Sequence, residues 1–258
     1  MTVLSPGPTR TDLIRNVVVA VLAIAQVVVA ATAGDAIGTI ARDYTTPLLA
    51  AGWAFAIWTL IYAGFLGYAV FQALPAQRAR QVHRSTGWWL AASAVFNAGW
   101  VLSFGAGWLP LAELMIIGLL VCVALVFGRY CHTPAESVLE RVVARGTVAV
   151  YAGWVSMATP LGTAATGVWI GLPGTGALAT IAAVVVLLAV TGIVAWAILS
   201  GNAVVPFALA VMWALVGIAL NDRPSAVVIA CAFAVVVVLA AIARRIGTAG
   251  YRVRAAWG

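Results

Sequence analysis

The segment "GWAFAIWTLIY", residues 52–62, sets Trp53, Phe55, Trp58, Thr59 and Tyr62 inside an apolar run without a single charge. On a helix Phe55, Trp58, Thr59 and Tyr62 stand at i, i+3, i+4 and i+7, which puts them on one face. Two further stretches repeat the pairing of large rings with a small polar group. In "VFNAGW" (95–100) Phe96 and Trp100 lie four apart with Asn97 between them, and in "YAGWVSMAT" (151–159) Tyr151, Trp154 and Ala158 form a stripe. Small residues beside these stripes, Gly52, Gly64, Gly67, Gly99 and Gly153, let the helices approach closely.

Around the stripes the chain is composed for lipid. Of its 258 residues 64% are hydrophobic and 8% charged, with a mean hydropathy of +1.09; soluble domains carry roughly 25% charged residues. The net charge of +7 comes from 14 arginines against 7 acids. They are spread along the chain with no basic cluster, which excludes a nucleic-acid partner. A bilayer core needs roughly 20 apolar residues per helix, and the sequence divides into eight such spans, at about 15–34, 48–74, 86–106, 109–130, 143–168, 177–199, 203–221 and 224–243. The expected fold is all-α, a polytopic integral membrane helical bundle of about eight transmembrane helices. Tight joints such as "AGWLP" (106–110), "SGN" (200–202) and "NDRP" (221–224) make sequential helices antiparallel neighbours. The first span follows Arg10 and Arg15 and ends in "ATAG" (31–34), as a signal peptide would. Its apolar run from Val17 to Ala33 exceeds the usual length, so it reads as a retained helix.

Eight spans place the N-terminus, the 75–85 and 131–142 loops and the C-terminus on one side. That side receives Arg10, Arg15, Arg78, Arg80, Arg84, Arg129, Arg141, Arg145, Arg244, Arg245, Arg252 and Arg254, and the other receives only Arg42 and Arg223. By the positive-inside rule both termini are cytoplasmic, in a multi-pass protein of the cell (inner or plasma) membrane.

What is missing narrows the function. Cys122, Cys131 and Cys231 have no paired spacing and read as free thiols. His83 and His132 fall in expected loops, read as solvated, and assemble no metal site. The mid-membrane polar set is Gln26, Thr59, Ser93, Asn97, Ser156, Thr159 and Thr191, without the acids and bases that drive coupled transport. No phosphate loop, zinc motif or nucleophile set is present, so neither an enzymatic activity nor a cofactor is expected. Interfacial anchoring accounts for Trp88, Trp89, Trp108, Trp169 and Trp257 at span ends. For the deeper Trp58, Tyr62, Asn97 and Trp100, helix packing and the lining of a pocket are equally open on physical grounds.

The three aromatic segments, in this order and at this spacing, resemble the second, third and fifth helices of the TspO/translocator-protein family of tryptophan-rich sensory proteins. Trp53, Phe55, Trp58, Thr59, Leu60 and Tyr62 match the second-helix pattern, with one residue fewer between Phe and the second Trp. Phe96, Asn97 and Trp100 match the third, and Tyr151, Trp154 and Ser156 the fifth. The resemblance implies a five-helix core at 15–170; outside it the sequence adds an N-terminal tail (1–14), three additional spans (171–245) and a basic C-terminal tail (246–258). It implies that Trp53, Phe55, Trp58, Tyr62, Asn97, Trp100, Tyr151 and Trp154 line a cavity for a porphyrin, sterol or similar apolar lipid, in a receptor, sensory or carrier role, and that the protein forms a homodimer. Three departures stand out: the 34–46 loop carries no tryptophan, Pro160 should kink the fifth span, and, the largest, three more spans follow the core. The rival roles are a small-solute or lipid transporter, a membrane assembly subunit and, more distantly, a porphyrin-converting enzyme.

Overall fold

The computed structural model describes residues 7–258, the Asp35 side chain excepted. Every described element is helical. α1 (Arg10–Asp43), α2 (Ile57–Ala73), α3 (Gln81–Gly105), α4 (Leu109–His132), α6 (Thr147–Trp169), α7 (Gly176–Ser200), α8 (Val204–Ala219) and α9 (Ser225–Thr248) are the long ones. A short α5 (Val138–Glu140) leads through a π turn at Arg141–Gly146 into α6, and α10 (Arg252–Trp257) closes the chain. The eight long helices coincide with the eight apolar spans. Among the described residues, five segments are both long and apolar enough to cross a membrane: Arg10–Gly34, Gly52–Ala73, Leu109–His132, Gly176–Ser200 and Ser225–Thr248. The outward face of α1 carries Leu13, Ile14, Val17, Val21, Ile24 and Val28, all exposed, as expected of a surface meeting lipid rather than water.

The helices follow one another in space as α1, α3, α4, α6, α8, α9 and α7, each packed on the next, with α2 resting on α1 and on the π turn and start of α6. α1 begins in a capping box: Thr9 accepts from the Asp12 amide, and Asp12 accepts from the Thr9 amide.

Two sequence expectations need correction. The segment read as a loop at 34–46 is helical through Asp43, which makes α1 34 residues long, about 50 Å at 1.5 Å per residue. Asp35, Arg42 and Asp43 end the apolar run but do not break a helix; the chain turns only at Tyr44, before Pro47. His83 is not solvated: it lies fully buried in the first turn of α3, its Nδ1 3.3 Å from the Tyr68 hydroxyl. Pro160 sits inside α6, which is helical from Thr147 to Trp169; neighbouring groups in membrane helices make such prolines tolerable. Cys122 and Cys231 are buried free thiols, and Cys131 is a half-buried one.

The arginine-rich side of the sequence becomes one physical end of the bundle, held by ion pairs. Arg84 and Arg15 both reach the buried Asp12 carboxylate, at 2.6 and 2.8 Å. Arg145, wholly buried beside the π turn, bonds Glu140 at 2.9 Å and the Tyr130 carbonyl at 2.6 Å, while Arg80 joins Glu140 to Glu136. Burial alone would push the Glu140 carboxyl up, but the hydrogen bonds from Arg80 and Arg145 outweigh it and hold the group below the usual carboxylate range. Arg245 caps the α7–α8 joint through the Gly201 carbonyl at 2.8 Å.

Candidate functional site

The aromatic residues of α2 and α3 meet across a gap that the backbones do not close. Trp58 stacks on Trp100, with ring centroids 5.4 Å apart and planes 28° from parallel, and on Tyr62 at 5.6 Å and 24°. Behind this pile α6 presents Tyr151 and Trp154 edge-on to Trp58, at 5.8 and 6.3 Å, and Phe55 meets Trp154 edge-on at 5.7 Å. Edge-on and offset stacking are the favoured ring geometries, so the cluster is a rigid wall. It also works as a spacer, because rings of this size hold α2 away from its neighbours.

On the other side of that wall lies a cavity of about 860 Å³ between α1, α2 and α3. Phe55, Trp58, Thr59 and Tyr62 all line it, the four residues the helical spacing put on one face, and Trp100 completes the aromatic side. The facing side is the second half of α1, where Ala30, Gly34, Gly38 and Ala41 recur every three or four residues and are too small to fill the space. A Cβ added at Gly34 would meet no atom within 4 Å. A second cavity, of about 570 Å³, lies between α2 and the π turn and is walled mainly by aliphatic residues such as Leu60, Val142 and Val150.

The remaining expected lining residues fall elsewhere. Tyr151 and Trp154 are fully buried and support the wall from behind. Trp53 is 44% exposed on the outer surface, edge-on to Trp213 of α8 at 4.9 Å. Asn97, fully buried, accepts a hydrogen bond from the Tyr62 hydroxyl at 3.1 Å and so fixes that ring. Polar atoms in this cluster are left over: Trp58 Nε1, Asn97 Nδ2, Tyr151 Oη and Trp154 Nε1 have no partner among the described residues. Elsewhere the mid-membrane hydroxyls are satisfied within their own helices, Ser93 on Leu90, Ser156 on Ala152, Thr159 on Val155 and Thr191 on Leu187. Thr59, on the cavity, makes no such bond.

One end of the cavity is built by the C-terminal helices, which lie outside the three aromatic segments. The 45–51 segment is held by Arg223 on the Thr46 carbonyl at 2.8 Å, by Asn221 on the Leu49 carbonyl at 2.9 Å, and by the Ala51 amide on the Gly217 carbonyl at 2.8 Å. Trp213 Nε1 donates to the Ala54 carbonyl at 2.7 Å. A Cβ on Gly217 would sit 2.6 Å from the Ala54 Cβ, so only glycine lets α8 come this close. Asn221 itself lines the cavity.

Matched against known families, residues 13–244 fit the model described as TSPO-like protein. The chain belongs to the TSPO-like family. The match runs beyond the five aromatic-bearing spans and takes in α7, α8 and nearly all of α9. No curated protein and no solved structure matches the chain. No cluster of metal-ligating side chains occurs among the described residues.

Proposed function

We propose that this TSPO-like membrane protein binds a flat, hydrophobic, ring-bearing ligand, a porphyrin, a sterol or a similar lipid, in the cavity between α1, α2 and α3, and acts as a sensor or carrier for it. The observation that carries the reading is the stacked Trp58, Tyr62 and Trp100 rings forming one wall of an 860 Å³ cavity whose opposite wall is made of small residues. That volume lies within the range of about 300–1,000 Å³ usual for small-molecule sites. Each ring contact with a planar ligand adds roughly 0.5–1.5 kcal/mol beyond area burial. No bond-making step is assigned to the site.

Both ends of the described chain lie at the basic end, where Arg84 reaches the Gly7 carbonyl and Arg141 the Gly258 carbonyl. Under the positive-inside rule that end is cytoplasmic in a multi-pass arrangement, and the 45–51 and 221–224 segments face the opposite side. The test is tryptophan fluorescence of the protein in detergent, titrated with protoporphyrin. Saturable quenching weakened at least about tenfold by Trp58→Phe, roughly 1.4 kcal/mol, supports the cavity. Linear quenching indifferent to the substitution means partition into the micelle and overturns it.

A further inference from the structure

The 570 Å³ cavity lies on the face of α2 opposite the aromatic one, at the basic end of the bundle. Glycines seat α2 directly on the π turn and the start of α6. A Cβ on Gly64 would run into the Thr147 side chain, and one on Gly67 would stand 3.5 Å from Val143 Cγ1. The α2 residues that line the cavity run from Leu60 to Gly67, about 10 Å at the helical rise. The space is therefore a trough leading from the π turn towards mid-membrane. Its rim is apolar yet open, because Val138, Val142 and Leu60 stand exposed. Two side chains of another character mark the mouth, Arg141 of the π turn and the half-exposed Trp257 of α10. Arginine and tryptophan beside bare valines are the pairing found where a membrane protein meets the headgroups.

The mouth is also electropositive. Arg141 donates through Nε to the Gly258 carbonyl at 3.0 Å, and its two terminal nitrogens have no partner among the described residues. Arg244 and Arg245 from the last turns of α9, and Arg252 and Arg254 from α10, lie at the same end, where α10 packs on the π turn. None of these five arginines pairs with a described carboxylate. Residues 1–6, MTVLSP, hold no acid, and Asp35 belongs to the opposite half of α1. A terminal carboxylate at Gly258 would offset one of the five charges and leave four.

We propose that this trough is a site for one membrane phospholipid with an anionic headgroup. Its phosphate sits on the Arg141 guanidinium at the mouth, and the first part of an acyl chain lies along Leu60, Val142 and Val150. Charge selects the headgroup, since a zwitterionic one brings its own ammonium against the arginines. Shape selects a lipid over a soluble anion, since beyond Arg141 the walls are almost wholly apolar. A lipid seated there rests on α2 behind Trp58 and Tyr62, and so braces the helix that carries the aromatic wall.

The test is native mass spectrometry of the full chain, stripped of lipid in a neutral detergent, with phosphatidylglycerol or phosphatidylcholine of identical acyl chains. The first phosphatidylglycerol should bind about tenfold more tightly than the first phosphatidylcholine, a preference that shrinks as ammonium acetate is raised. Arg141→Gln should abolish the preference. Val142→Glu should abolish it too, by setting a carboxylate on the exposed rim while the Arg141–Gly258 bond stays in place. Arg244→Gln, which does not line the trough, should leave most of it. Equal binding of the two lipids by the unaltered chain overturns the proposal. A preference that survives both trough variants, or that falls as far in Arg244→Gln, overturns it as well and leaves only a general surface charge. If millimolar inorganic phosphate displaces the lipid, the site belongs to a soluble anion and the lipid assignment fails. If Val142→Glu turns a dimer into a monomer, a second copy covers the trough and the proposal fails with it.

Discussion

At the basic end, Asp12, Glu136 and Glu140 tie Arg15, Arg80, Arg84 and Arg145 into five ion pairs, four of them with a buried carboxylate that two arginines share. At the opposite end, Arg42 and Arg223 pair with no described carboxylate, and the chain is held through backbone carbonyls at Thr46, Leu49 and Ala54. The first arrangement is expensive to loosen, because removing one member strands a buried charge. The second can give one bond at a time, each worth about 1 kcal/mol. Rigidity and openness are thus assigned to different ends, and the cavity is at the end that can move.

The comparison is tested hardest at Glu140. Glu140→Gln leaves the buried Arg145 without its counter-charge, and a loss of about 3–5 kcal/mol in stability is expected, read as a large drop in Tm in detergent. Glu136→Gln serves as the control. Its carboxylate is 71% exposed, and the loss should stay below about 1 kcal/mol. Equal effects at the two positions would mean that the basic end is not the stiff one.

Acid probes the same end. Burial, and then the nearby charges of Arg80 and Arg15, push the His83 imidazole down to about 4 from 6.5. The unfolded chain therefore binds a proton more readily than the folded one across that window. The stability is fully present above pH 6.5 and is lost as pH falls to about 4, by about 3 kcal/mol in all. Tm measured against pH should slope downward below 6.5, and His83→Gln should flatten that part of the slope.

Smaller effects belong to the cavity end. Trp213→Phe removes the donor to the Ala54 carbonyl and should cost about 1 kcal/mol; a loss as large as that at Glu140 would erase the distinction between the ends. Gly34→Leu should leave Tm level or slightly raised, since glycine within a helix is worth about 0.8–1.0 kcal/mol less than alanine and the added side chain meets open space. The same substitution should weaken protoporphyrin quenching about tenfold by filling the slot. Unchanged quenching would put the ligand elsewhere, the outer cavity by α2 and the π turn being the next place to look.

The aromatic wall was legible because helical spacing alone puts Phe55, Trp58, Thr59 and Tyr62 on one face, and all four do face the cavity. The eight helices were legible because each is an apolar run bounded by turn residues. The facing wall was not. The unbroken apolar run stops at Gly34, before Asp35, while helix formation does not depend on it, so the Ala/Gly repeat from Ala30 to Ala41 continues as a helix past the charge. Nor could the sequence place His83, whose burial depends on Tyr68 and Phe71 of another helix. It could not join α8 to the site either, because the Trp213–Ala54 and Asn221–Leu49 bonds cross more than 150 positions of chain.

The length of α1 has a consequence for how any affinity should be read. A helix of about 50 Å outreaches a hydrocarbon core of about 30 Å. Tilting takes up part of the mismatch, and the rest of its Gly34–Asp43 stretch stands at headgroup depth. Under the ligand-binding proposal, a slot opening at that depth takes its ligand from molecules already dissolved in the bilayer rather than from water. The dissociation constant measured against total aqueous ligand is then a product of two equilibria, partition into lipid and capture by the protein. Two ligands of equal fit will differ in apparent affinity by the ratio of their partition coefficients, and changing the lipid-to-protein ratio will shift both without touching the site.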